Sequence, residues 1–171
     1  LLLPPNSTAR DARSRGPNLA GQEREIAILF SDLRAFTQFS EAKMPYDVVF
    51  VLNRYFAHMG EAVEEAGGHL DKFIGDGVMA LFGTTTDIRT GAFQALIAAK
   101  KMSQKLAELN DQLEHELSEP LRIGIGIHVG PAIIGEMGYG TASGLTAIGD
   151  SVNTASRLEA MTKEYGAELI F

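Results

Sequence analysis

Hydrophobic and polar positions divide the chain into an irregular N-terminal arm and a structured remainder. Residues 1–22 carry Pro, Gly and scattered charges without an apolar period, which is typical of a linker or a disordered arm. In the next segment Ile26, Ile28 and Phe30 alternate with neighbours that are themselves mostly apolar. A segment that is apolar on both sides predicts a central strand, and the structured domain is expected to cover residues 23–171.

Apolar residues at spacings of three and four predict three long helices, over about residues 45–66, 87–117 and 152–165, with a shorter helix before the first. The third long helix is predicted to be capped by Asp150 or Ser151. The expected buried stripe of the second consists of Leu96, Ala99, Met102, Leu106, Leu109, Leu113 and Leu117.

Alternating segments between these helices predict strands. The predicted strands are 69–74 and 78–82, joined as a hairpin by a Gly-Asp-Gly turn, 122–129 with 131–136 as its antiparallel partner, 145–148 and 167–171. Strands separated by helices, with a hairpin among them, predict an α/β sandwich of the ferredoxin-like kind. The first strand then lies beside the hairpin, so Asp32 and Asp76 are expected at one edge of the sheet.

Composition narrows the classes of protein to consider. A length of 171 residues suits one domain, and a net charge of −7 without a Lys/Arg-rich face argues against nucleic-acid binding. The absence of cysteine excludes disulfides and thiolate metal sites, and no apolar run approaches the roughly 20 residues of a membrane span. Because the chain begins with Leu1 and not Met, we expect it to be a fragment of a longer protein.

Two aspartates stand at the ends of predicted strands. Asp32 closes the first strand and precedes a turn into a helix, and Asp76 lies in the tip of the hairpin. Two carboxylates beside a helix N-terminus suit Mg²⁺ ions and a nucleoside triphosphate, because Mg²⁺ is commonly held by one or two carboxylates and substrate phosphates. Taken singly, Asp32 also fits a helix cap, and Asp76 also fits an ordinary hairpin turn.

A third motif spans residues 146–157. Asn153 and Arg157 are one helical turn apart and project together, which also describes an ordinary solvated face. Lys72 has the same strand parity as Asp76, so a cation and a carboxylate are expected to share one face of the hairpin.

Together and in this order, the three motifs resemble the class III nucleotidyl cyclases, the adenylyl and guanylyl cyclase catalytic domains, from about residue 24 to residue 171. The resemblance implies their fold, a mainly antiparallel central sheet flanked by helices, with the family's C-terminal elements missing from this chain. It also implies roles for individual residues. It implies that Asp32, Asp76 and the Leu33 carbonyl bind metal ions, and that the amides of Ala35, Phe36 and Thr37 bind the triphosphate. It implies that Lys72 and Thr146 recognise the purine. It implies that Asn153 and Arg157 orient the ribose and stabilise the transferring phosphate.

The resemblance further implies a reaction and an assembly. Guanylyl cyclases typically have Glu and Cys at the positions of Lys72 and Thr146, so the expected substrate is ATP, converted to cyclic AMP and pyrophosphate with two Mg²⁺ (or Mn²⁺) ions. The family works as a head-to-tail dimer, so a homodimer is expected in which Asp32 and Asp76 come from one protomer. Lys72, Thr146, Asn153 and Arg157 then come from the other protomer.

Several alternatives and departures remain open at this point. A non-catalytic nucleotide-binding or dimerisation module is the main alternative, followed by a guanylyl cyclase or a diguanylate cyclase. The last is disfavoured because Gly75-Asp76-Gly77-Val78 lacks the Gly-Gly-acidic-Glu-Phe signature. Ala35 stands where many relatives have Gly. A cytoplasmic location is expected for the catalytic domain, whereas an upstream sensor or membrane domain in the parent protein is left open. A response to bicarbonate is implied only for part of the subgroup that this chain resembles, and it is left open for this chain.

Overall fold

The computed structural model describes residues 21–171, so the predicted arm lies outside the described residues except for Gly21 and Gln22. The strands are β1 Gln22–Leu33, β2 His69–Ile74, β3 Gly77–Phe82, β4 Ile123–Met137, β5 Gly144–Ile148 and β6 Leu169–Ile170. The helices are α1 Phe36–Ala42, α2 Pro45–Glu65, α3 Ile88–Gln112 and α4 Asp150–Glu164. A short 3₁₀ turn, Gly140–Ala142, lies between β4 and β5.

These strands form one mainly antiparallel sheet in the order β2-β3-β1-β4-β5, with β6 added parallel to β4. β1 pairs with β4 along its whole length, from Gln22 opposite Ile134 to Leu33 opposite Ile123. The four residues 26–29 are fully buried, because helices pack against both faces of the sheet at β1. The central strand and the neighbouring hairpin are therefore confirmed.

Helices α2 and α3 cover one face of the sheet, and α4 covers part of the other. Two glycines of β4, Gly124 and Gly126, let α4 approach closely. A Cβ atom on Gly126 would lie 2.2 Å from the backbone nitrogen of Glu159, and one on Gly124 would lie 2.3 Å from the Thr162 hydroxyl oxygen. Larger residues at either position would push α4 away from the sheet.

The expected hairpin around Gly130 is wrong, because β4 is a single strand of 15 residues. Gly130 and Pro131 continue the strand opposite Ile26 and Glu25 of β1. On the edge of β4 that faces away from β1, residues 125 and 126 pair with β6, and residues 133–137 pair with β5. Pro131 lies between these two segments, so no neighbouring strand there requires the N–H that proline lacks. Long-range pairing with β1 therefore decides the path of the chain.

Two details of the predicted helices also need correction. α3 ends at Gln112 and not at Leu117, and its buried face carries Ala95 and Ala98, whereas Leu96 is 37% exposed. Neither Asp150 nor Ser151 caps α4, whose N-cap is Gly149 with a φ of 136°. The Ser151 hydroxyl instead donates to the Pro131 carbonyl oxygen at 2.7 Å and fastens the helix to β4.

Candidate active site

The two predicted metal-binding carboxylates lie together at one edge of the sheet. Asp32 is near the end of β1, and Asp76 is in the turn between β2 and β3, the strand that pairs with β1. A Cβ atom built on Gly77 would lie 3.7 Å from the Asp32 Oδ1 atom and 3.3 Å from the Ser31 carbonyl oxygen, so the turn packs directly against Asp32. Antiparallel pairing thus brings together two residues that are far apart in the sequence.

Burial raises the pKa of the Asp32 carboxyl group to about 7, and a hydrogen bond and charge repulsion from Asp76 act in the same direction. Glu159 on α4 raises this pKa further, and the Lys163 ammonium group lowers it. Two adjoining carboxylates resist ionising together unless a cation compensates them. The pair therefore has the electrostatic character of a cation site.

Beside the pair lies a cavity of about 310 Å³, lined in part by Asp32, Asp76, Ala35, Thr37 and Lys163. Its far wall is the turn into α1. Ala35, the N-cap of this helix, is the one non-glycine residue with positive φ (55°) among residues 21–171, and no side chain caps the first turn. The cavity thus combines carboxylates, uncapped backbone amides and one cation.

Sequence reasoning missed two side chains near the carboxylates, Glu159 and Lys163. Glu159 shares a second cavity, of about 190 Å³, with Asp32, Asp76 and Ser156. Burial raises the pKa of Glu159, the charge of Asp76 raises it too, and Lys163 and Arg34 lower it. The spacing of residues 156, 159 and 163 on one face of α4 is the signal that would have found them.

A larger cavity, of about 560 Å³, lies on the neighbouring surface and holds neither aspartate. It is lined by Arg34, Arg122 and Glu168 among others, and it shares Lys163 with the cavity at the carboxylate pair. The paired carboxylates line the two smaller cavities and not this one. Within this larger cavity the Arg34 guanidinium donates to the carbonyl oxygen of Ala167, another lining residue, at 2.9 Å.

The two predicted purine-reading residues form a separate group. Lys72 on β2 and Thr146 on β5 belong to opposite ends of the strand order, yet both contact Asp71. The Thr146 hydroxyl donates to Asp71 Oδ2 at 2.5 Å, and the Lys72 ammonium lies 3.5 Å from Asp71 Oδ1. A second bond between the same strands, 3.0 Å from His69 Nε2 to the Leu145 carbonyl oxygen, shows that the sheet curls until its ends meet.

Asn153 and Arg157 are both exposed on α4, one turn apart as predicted. They line neither of the cavities around Asp32 and Asp76, although Ser156 and Glu159 of the same helix do. Lys72 and Thr146 are absent from those cavities as well. One protomer therefore brings together the predicted metal-binding and turn residues in one place and the two predicted purine-reading residues in another.

Beneath the carboxylates lies Tyr55 of α2, whose side chain is fully buried. Burial strongly raises the pKa of its hydroxyl group, and the charges of Asp32, Asp76 and Glu159 act in the same direction. Tyr55 is therefore neutral at physiological pH.

Residues 19–167 match the family described as the adenylate and guanylate cyclase catalytic domain. The chain belongs to this family. An adenylate cyclase of Anabaena cylindrica is 42% identical over 156 residues, which cover 88% of this chain and 30% of that protein. A terminal-differentiation-specific adenylate cyclase of Dictyostelium discoideum is 37% identical over 86% of this chain and 7% of its own length. The chain thus spans less than a third of these two relatives.

Solved structures of both specificities resemble the cyclase domain. The guanylyl cyclase Cya2 has a TM-score of 0.78 at 38% identity, covering 83% of this chain and 72% of that one. The adenylyl cyclase CyaB from P. aeruginosa has a TM-score of 0.78 at 34% identity, covering 83% and 74%. Overall structural similarity therefore does not distinguish a cyclase that uses ATP from one that uses GTP, and the distinction has to come from individual residues.

No helix within residues 21–171 is both long enough and apolar enough to cross a bilayer.

Proposed function

We propose that this cyclase domain is an adenylate cyclase, which converts ATP to 3′,5′-cyclic AMP and pyrophosphate by attack of the ribose 3′-hydroxyl on the α-phosphorus. The observation that carries the choice of ATP is that Lys72 and Thr146, from opposite ends of the strand order, both contact Asp71. Lys72 donates to adenine N1, and the Thr146 oxygen accepts from the exocyclic amine. The names of the Anabaena and Dictyostelium relatives agree with this choice.

The carboxylate pair fits divalent cations. Asp32 and Asp76 adjoin one another, and burial together with the neighbouring Asp76 raises the pKa of Asp32. A cation would compensate the negative charge of the pair. We propose that both side chains, with the Leu33 carbonyl, hold two Mg²⁺ (or Mn²⁺) ions. Such a pair of ions stabilises the attacking and leaving oxygens of a phosphoryl displacement.

The remaining residues of the chain bind and orient the nucleotide. The backbone amides of Ala35, Phe36 and Thr37 are proposed to bind the triphosphate, which the uncapped start of α1 supports. Lys163 joins them as a cation, because it lines the same cavity. Asn153 is proposed to orient the ribose, and Arg157 to neutralise charge that develops on the transferring phosphate.

A head-to-tail homodimer with two sites is part of the proposal. Within one protomer, Asn153 and Arg157 line neither cavity at the carboxylates, and Lys72 and Thr146 stand apart from both, which supports a site shared between two copies. We propose that the domain acts in the cytoplasm, where ATP is available, as part of a longer protein that supplies a sensor or a membrane anchor.

The test is a product assay on the purified domain with ATP or GTP, in the presence of Mn²⁺ or Mg²⁺. Cyclic AMP is expected to be the main product.

Asp32→Ala and Asp76→Ala are each expected to lose at least ~10²-fold in rate, the scale for removal of a positioned electrostatic group. Asp111→Asn, at an exposed site on α3, is the matched control and should keep its activity. A preference for GTP, or near-normal rates in both alanine variants, would contradict the proposal. Nucleotide binding without any product would favour the non-catalytic module.

A further inference from the structure

We propose that Asp71 determines purine specificity by fixing the Thr146 hydroxyl group as an acceptor, so that the site selects a 6-amino purine over a 6-oxo purine. The proposal rests on the proposed function, because it concerns the same nucleotide site. Asp71 does not contact the base itself, so it is a positioning residue.

The contacts of Asp71 tie it to both purine-reading residues at once. Oδ2 accepts the Thr146 hydroxyl hydrogen at 2.5 Å, and Oδ1 lies 3.5 Å from the Lys72 ammonium. The Asp71 side chain is 3% exposed, whereas that of Lys72 is 48% exposed. The carboxylate is therefore shielded behind a lysine that reaches outward.

A bulge in β2 makes this arrangement possible. Leu70 pairs with Ala80 and Lys72 pairs with Met79, so Asp71 is an extra residue without a partner on β3. Successive side chains of a regular strand point to opposite faces, and a bulge re-aims them locally. Asp71 thereby contacts Thr146 on β5, while the ammonium of the next residue, Lys72, lies 3.5 Å from the same carboxylate.

The direction of the hydrogen bond is what gives selectivity. A threonine hydroxyl has one hydrogen and two acceptor lone pairs, so by itself it pairs equally well with an amine or a carbonyl. An ionised carboxylate can only accept, so the hydrogen of Thr146 is held by Asp71 and the lone pairs are left for the base. The amine of adenine donates a hydrogen bond to these lone pairs. The 6-oxygen of guanine or hypoxanthine is itself an acceptor, so the Thr146 oxygen and the 6-oxygen would both be left without a donor.

A purely structural role for Asp71 makes a different prediction. The contact with Thr146 also fastens β2 to β5, as does the 3.0 Å bond between His69 and the Leu145 carbonyl oxygen. If Asp71 acted only as a fastener, replacing His69 would weaken the same junction and affect the base in the same way. If Asp71 acts through the hydroxyl hydrogen, only substitutions at Asp71 and Thr146 alter the choice of base.

The experiment compares kcat/KM for ATP with that for inosine 5′-triphosphate in the whole chain. Inosine triphosphate has the 6-oxygen and the N1 hydrogen of guanine but no 2-amino group. It therefore differs from ATP only at positions 1 and 6 of the purine, the edge that Lys72 and Thr146 are proposed to contact. Asp71→Asn keeps the size of the side chain, and its amide can donate to Thr146, which frees the hydroxyl to donate to a 6-oxygen. The ratio of ATP to inosine triphosphate is expected to fall roughly 10- to 100-fold, the range for mispaired buried polar groups.

Three controls separate the mechanisms. Purine riboside 5′-triphosphate, which has only hydrogen at position 6, is expected to respond little to Asp71→Asn. In a Thr146→Val background, Asp71→Asn is expected to have no further effect on the ratio, because the hydroxyl is gone. His69→Ala should leave the ratio unchanged.

An unchanged ratio in folded, active Asp71→Asn protein, or an equal fall in His69→Ala, overturns the inference. If Asp71→Asn does not fold, Asp71→Ser provides the same comparison with a smaller side chain that can both donate and accept. If the wild-type domain makes no cyclic nucleotide, the proposed function fails, and calorimetric dissociation constants for ATP and inosine triphosphate test Asp71 separately. A ratio of those constants that Asp71→Asn does not change would overturn the inference as well.

Discussion

The carboxyl groups of Asp32 and Asp76 line the same two cavities, although one is near the end of β1 and the other is in the β2–β3 turn. Burial and the neighbouring Asp76 raise the pKa of Asp32 to about 7. Without a cation, the fold therefore holds two like charges together at a cost to its stability. The same arrangement gives a divalent cation a prepared site.

Replacing Asp32 by Asn is expected to stabilise the metal-free protein at pH 8. The folded state binds the Asp32 proton more tightly than the unfolded chain, whose aspartates titrate near about 3.9, so stability falls as pH rises from about 4 through about 7. Because the carboxyl is only partly buried, we expect a gain of roughly 2–4 °C in Tm, equivalent to about 1 kcal/mol in a domain of this size. The gain should disappear below about pH 4.

Thermal unfolding in EDTA across this pH range, with Asp111→Asn as control, measures the effect. Added Mn²⁺ should raise the Tm of the wild type and not that of Asp32→Asn, since ligands stabilise only the state that binds them. Equal stabilisation of both proteins by Mn²⁺ would remove Asp32 from the metal site.

Ala35→Gly is expected to stabilise the turn that forms the wall of the cavity. Ala35 has a φ of 55°, a left-handed conformation that costs a residue with a Cβ atom roughly 1–2 kcal/mol. Glycine removes this strain but loses about 0.5–1 kcal/mol through greater freedom in the unfolded chain, so the net gain is at most about 1.5 kcal/mol.

Denaturant unfolding of Ala35→Gly and of Ala35→Val measures this difference. Valine is β-branched and should lower the free energy of unfolding, because branched residues resist positive φ. A glycine variant less stable than the valine variant would show that the turn is not left-handed in solution.

The elements around the carboxylates could be predicted from the sequence because their signals are local. The apolar run 26–30 lies within β1, where residues 26–29 are fully buried, and the Gly-Asp-Gly turn joins β2 to β3 as expected. Pairing of β1 with β3 then follows from ordinary antiparallel topology and brings Asp32 to Asp76. The proposed roles of these two residues stay predictions until they are tested.

Features that depend on distant partners could not be predicted in this way. Gly130-Pro131 has the composition of a turn, but pairing with Glu25 and Ile26 keeps it extended. Asp71 looks like a solvent-facing residue of an edge strand. Its burial depends on a bulge and on a contact with Thr146, which is 75 residues away, and neither leaves a local pattern.

Two inactive variants are expected to restore activity when they are mixed. Asp32→Ala removes a metal ligand and Arg157→Ala removes the phosphate-stabilising cation, so each homodimer should be inactive. In a mixed dimer one site carries both substitutions and the other carries neither, so activity should approach one quarter of the wild type if subunits mix at random.

The measurement is cyclic AMP production after the two variants are co-expressed or allowed to exchange subunits. Asp32→Ala mixed with Asp76→Ala is the matched control and should stay inactive, because both residues belong to the same half of the site. A mixture of Asp32→Ala and Arg157→Ala that remains inactive, despite demonstrated heterodimers, would argue that the sites are not shared.

Exchange of the purine-reading pair is expected to weaken the preference for ATP. Guanine has an N1 hydrogen where adenine has a lone pair, so Lys72→Glu replaces a donor with the acceptor that guanine requires. Thr146→Cys removes the oxygen that Asp71 positions and substitutes a weak donor and acceptor. Because each mispaired buried group costs ~1–3 kcal/mol, the ratio of kcat/KM for ATP to that for GTP should fall by one to three orders of magnitude. An unchanged ratio in a folded, active double variant would mean that Lys72 and Thr146 do not read the base, and the choice of ATP would then lose its structural support.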